Sequence, residues 1–69
     1  MIRLVELSPA AGDELVKQLK DERIAHRRRG TQFMFVEGEM PHKMRRLSNL
    51  VGYVLAKFGQ SHLIEDKYV

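Results

Sequence analysis

The apolar phase of the chain breaks after Leu19. Leu15, Val16 and Leu19 recur at the spacing of one helix face. Carried further, that face presents Arg23, His26 and Arg27 to the core and leaves Ile24 outside it. The break divides the segment into a helix that closes near Lys20 to Glu22 and a polar strand from Arg23 to Arg28. The rival arrangement, one long helix over a three-stranded sheet, has to bury those cations. Gly30 tolerates the positive φ that a hairpin turn needs. Thr31 to Glu37, rich in aromatic and β-branched residues, then returns as the paired strand.

The remaining elements follow from local signals. Ile2 to Leu7 reads as a first strand. Ser8-Pro9 places an N-cap and an N1 proline ahead of the first helix, with Asp13 and Glu14 at its favourable end. Gly38 and Pro41 punctuate the chain, and Glu39 lies just before a second helix. Met40, Met44, Leu47, Val51, Val54, Leu55 and Phe58 step by three and four along it. Gly59 ends that helix, and Ser61 to Tyr68 forms a last polar strand. The order βαββαβ predicts an α+β, ferredoxin-like two-layer sandwich: a four-stranded antiparallel sheet with both helices on one face. In this topology the first and third strands are central. They are the most apolar two here, while the edge strands carry the arginines and Glu65, Asp66 and Lys67. Charged edges are a common guard against edge-to-edge pairing.

The chain has 69 residues and no cysteine, so residues 1–69 are expected to form one small domain without disulfides or thiolate metal sites. Such a domain is marginal by itself and gains from an efficient core or a partner. No apolar run is long enough to span a membrane, and Met1 to Leu7 is too short an apolar core for a signal peptide. A soluble cytoplasmic protein is the expectation. The net charge is only +3, but the charges segregate. No acid lies between Glu22 and Glu37 or between Glu39 and Glu65, where the cations gather. That pattern suits a polyanion or an acidic protein surface, and it also suits a solvated face.

On the third strand, Phe33 and Phe35 share one face and Met34 and Val36 the other. One pair lies under the helices, and the other needs an outside partner or a second copy of the chain. The stretch Phe33-Met34-Phe35-Val36-Glu37 resembles the middle of the third-strand signature of the RNA-recognition motif. The resemblance implies exposed aromatics that stack on bases. The chain departs from that signature with Gln32 in place of Gly, Gly38 in place of the last aromatic, and Arg3 where the first strand usually carries a ring. Core or dimer packing is the other reading of the two phenylalanines.

Arg27, Arg28 and Arg29 are placed at a hairpin tip that can track phosphates. His42, Lys43, Arg45 and Arg46 fall at the start of the second helix, where cations oppose the dipole. Either they form an anion site or Glu37 and Glu39 compensate them. Gly52 inside that helix predicts a close approach, to the first helix or to a second copy. No serine has an evident base, and His26, His42 and His62 lack metal-ligand spacing. The first expectation is therefore a non-enzymatic nucleic-acid-binding module, for RNA or DNA, without metal or small-molecule cofactor. Its site residues are Arg27, Arg28, Arg29, Phe33, Phe35, Lys43, Arg45 and Arg46. The alternative is a protein-binding regulator or small homodimeric subunit that acts through its open sheet face.

Overall fold

Ser8 and Pro9 start the first helix as their chemistry predicts, with the Ser8 hydroxyl accepting the Ala11 N–H at 3.5 Å. The computed structural model describes residues 1–69 and orders them as β1 (Ile2–Leu7), α1 (Pro9–Asp21), β2 (Arg27–Arg29), β3 (Gln32–Val36), α2 (Met44–Phe58) and β4 (Leu63–Tyr68). The sheet is antiparallel with strand order β2-β3-β1-β4, the ferredoxin-like arrangement, and both helices pack on one face. The phase break after Leu19 is a helix end: α1 stops at Asp21.

Alternation in the central strands decides which residues are inside. Val5 and Leu7 of β1 and Phe33 and Phe35 of β3 are fully buried. They meet Leu15 and Leu19 from α1, and Leu47, Val51 and Val54 from α2, in one core. The rings of Phe33 and Phe35 lie nearly parallel, at 10° and 6.3 Å between centroids. Of the predicted stripe on α2, Met44 and Phe58 are only partly buried, and Leu50 joins the core beside it.

Several boundaries differ from expectation, and β3 is Gln32–Val36, one residue shorter at each end than Thr31 to Glu37. β2 is shorter than Arg23 to Arg28, because Ile24 turns back onto the core beside Leu19 and His26 Nδ1 bonds to the Ile24 carbonyl at 2.9 Å. Pro41–Lys43 forms a separate 3-10 turn ahead of α2, and Gln60–His62 another ahead of β4. Gly52 makes no close approach, and the helical glycine with neighbours is Gly12, where a side chain would sit in ordinary contact. A Cβ on Gly12 would lie 3.4 Å from the Phe33 ring and 3.5 Å from the Arg28 guanidinium, whereas one on Gly52 would meet nothing within 4 Å.

Candidate binding site on the sheet face

Backbone register places the side chains of the uncovered face in rows across the sheet, since antiparallel partners point the same way. One row runs Arg27, Met34, Leu4, Lys67 from β2 to β4. The next runs Arg29, Gln32, Glu6, Glu65. On the other side of the first row, Val36 pairs with Ile2. Ile2, Leu4, Met34 and Val36 are all only partly buried. The face is thus an aliphatic centre between cations. A groove of about 270 Å³ follows its β2 side, lined by Leu4, Arg27, Arg28, Arg29, Gln32 and Met34. A smaller one of about 110 Å³ adjoins it, where His26, Arg27, Val36 and Glu39 meet.

Of the predicted site residues only Arg27, Arg28 and Arg29 line the larger groove, and Phe33, Phe35, Lys43, Arg45 and Arg46 do not. Phe33 and Phe35 point to the helices with no exposed ring surface, so they cannot stack on a base. Burying each ring contributes about 1.5–3 kcal/mol. A stacked base returns about 1–3 kcal/mol, so pulling them out gains nothing. Arg28 also turns to the helix face. Its guanidinium lies over the Phe33 ring at 5.2 Å, bonds to Asp13 at 3.0 Å and donates to the Gly30 carbonyl at 2.8 Å. Of the three hairpin arginines, only Arg27 and Arg29 face outward with the open sheet. Arg27 reaches Glu39 at a loose 3.9 Å, and Arg29 has no carboxylate within 4 Å.

The cations at the start of α2 have a different compensation from the expected Glu37 and Glu39. Helix α1 ends beside them. Lys43 Nζ donates to the carbonyls of Glu22 at 2.7 Å and Arg23 at 3.1 Å, and Arg46 pairs with the Glu22 carboxylate. They oppose the dipole of their own helix but favour that of the neighbour. Arg45 is exposed and has no carboxylate within 4 Å. No family model, curated protein or solved structure matches this chain.

Two arrangements were missed from the sequence. Arg3 is buried under α2 rather than standing on the open face. It donates Nε and Nη2 to the Asp66 carboxylate at 3.0 and 2.8 Å, and Nη1 to Ser48 at 2.7 Å. The carboxylate raises its pKa above the usual arginine value, against the lowering by burial. Ser8 does have a histidine partner: its hydroxyl lies 2.5 Å from His62 Nδ1, and its N–H donates to the His62 carbonyl at 2.9 Å. With the Ser8 oxygen also accepting the Ala11 N–H, the pair latches the end of β1 to the start of β4. Neither groove of the sheet face includes it.

Proposed function

We propose that the protein is a non-catalytic binding module that takes an apolar protein segment flanked by carboxylates on its open sheet face. The row Arg27–Met34–Leu4–Lys67 carries this reading: two aliphatic side chains between two cations. An extended segment laid on the face covers Leu4 and Met34 with its own apolar side chains and reaches Arg27 and Lys67 with acids beyond them. Covering that centre supplies affinity, and the cations select the partner and its orientation. Nucleic acid suits the face less well. No aromatic ring is offered to a base, and the adjoining row carries Glu6 and Glu65, the latter bonded to Lys67 at 2.6 Å. One observation favours the nucleic-acid reading, the unpaired Arg29 at the hairpin tip.

The test uses fluorescence anisotropy with two probes, an extended peptide with a leucine-rich centre flanked by glutamates at both ends and a mixed-sequence single strand of RNA or DNA. The peptide is expected to bind. Arg27→Glu and Met34→Gln should each weaken it by roughly tenfold, the loss of about 1.4 kcal/mol. Binding of the nucleic acid that falls steeply with salt, with no binding of the peptide, overturns the proposal in favour of the phosphate-tracking arginines.

A further inference from the structure

The two edges of the sheet are unlike. β2 offers three residues, all arginine, whereas β4 offers six. Ile2 and Val69 exchange both backbone bonds, at 3.0 and 2.8 Å. By alternation Lys67 and Glu65 also turn their N–H and C=O groups to β1, and Asp66 and Tyr68 turn theirs to solvent. The one irregularity of the β1–β4 pairing lies opposite Glu6 and Leu7, at the start of β4, and the strand is regular from Glu65 to Tyr68. No element covers the outer side of this strand. Ile64 and Tyr68 are 59% and 50% exposed beside it.

We infer that this edge pairs with the same edge of a second copy, joining two sheets into one. The order of charges along the strand supports it. Two β4 strands related by a two-fold axis can pair only where outward-facing backbone groups meet each other, so the axis falls on a residue. On Asp66, it sets Glu65 opposite the partner's Lys67, and Lys67 opposite the partner's Glu65. Ile64 lies in the irregular start of β4, so the charged pairs alone set this register. Moved one residue either way, the axis brings Glu65 onto the partner's Glu65 or Lys67 onto the partner's Lys67. Like charges directly opposite are unfavourable, and opposite charges are favourable. The two Asp66 side chains meet at the axis, but each is already neutralised by the two bonds from Arg3. Charged edges normally prevent pairing, and here one register turns the charges into a match. The inference does not depend on what the open face binds.

Light scattering after size exclusion tests it, over protein concentrations from roughly 10 µM to 1 mM, since an edge interface is small and weak. The wild-type protein is expected to dimerise. Glu65→Lys and Lys67→Glu, each placing like charges opposite one another, should be monomeric alone. Mixed one to one, the two variants should form a heterodimer, because each supplies the charges that the other lacks. The double variant E65K/K67E should dimerise with itself. Circular dichroism of each variant establishes that it is folded. A wild-type monomer at the highest concentration overturns the inference, as do single variants that dimerise like the wild type. Peptide binding by a monomer leaves the open-face reading standing while this one falls.

Discussion

Arg23 is the one residue other than glycine held at positive φ, 54°. It occupies the left-handed position that closes α1. Its N–H reaches the Lys20 carbonyl at 3.2 Å, and the next N–H, that of Ile24, reaches Leu19 at 2.9 Å. A side chain in that region costs about 1–2 kcal/mol, and this one makes no ion pair in return. Arg23→Gly is expected to stabilise the fold by about 0.5–1 kcal/mol, the gain being reduced by the greater chain freedom of glycine when unfolded. A urea midpoint that falls instead shows that the guanidinium has a stabilising contact. The closure was not legible as such. The sequence shows where the apolar phase ends, but glycine is the usual mark of a left-handed cap, and arginine stands in its place. Gly12 was obscure for a related reason. A glycine inside a helix signals close approach, but only the packing tells which of two helical glycines faces a ring.

The ends of α1 and α2 stabilise each other. Lys43 and Arg46 stand at the positive end of their own helix, which made them read as an anion site. Antiparallel packing sets the negative end of α1 next to them, and that pairing is a tertiary fact no local rule contains. Lys43→Gln is expected to lower stability by about 1 kcal/mol, through lost bonds to the carbonyls of Glu22 and Arg23. Thermal or urea unfolding measures it. An unchanged midpoint, with weaker binding to nucleic acid, restores the anion-site reading. In β3 the sequence did settle that Phe33 and Phe35 share a face and that one of the two pairs is left open. The burial of Val5 and Leu7 on the neighbouring strand, with which β3 is in register, puts the phenylalanines inside.

A strap between the two helices is expected to link the stability of the domain to pH. Lys57 Nζ and Gln18 Nε2 donate to Glu14 at 2.9 and 3.1 Å, and they hold its carboxyl below the ordinary value of 4.5. The unfolded chain therefore takes up this proton first. Glu14 stabilises the fold above pH 4.5, and the contribution is lost as pH falls through the lower folded value. The bond from Lys57 to Glu14 conversely raises the lysine above 10.5, so its contribution is present below that pH and disappears as pH rises through the folded value. Glu14→Gln should lower the urea midpoint at neutral pH and flatten its fall in acid; parallel acid limbs for variant and wild type would show that other carboxylates set the response. Strand and helix order, and which strands are central, were legible because hydrophobic period and edge charge agree along the chain. The partners of individual charges were not, since most of them lie on another element.

The inequality of the two sheet edges bears on what this protein does when concentrated. Beside β2 an added strand finds three arginines and little backbone to hold it. Propagation of cross-strand order needs two receptive sides, one to join and one to be joined. This chain has one. The association inferred through β4 would therefore be self-terminating, and crowded solutions should yield discrete particles rather than threads.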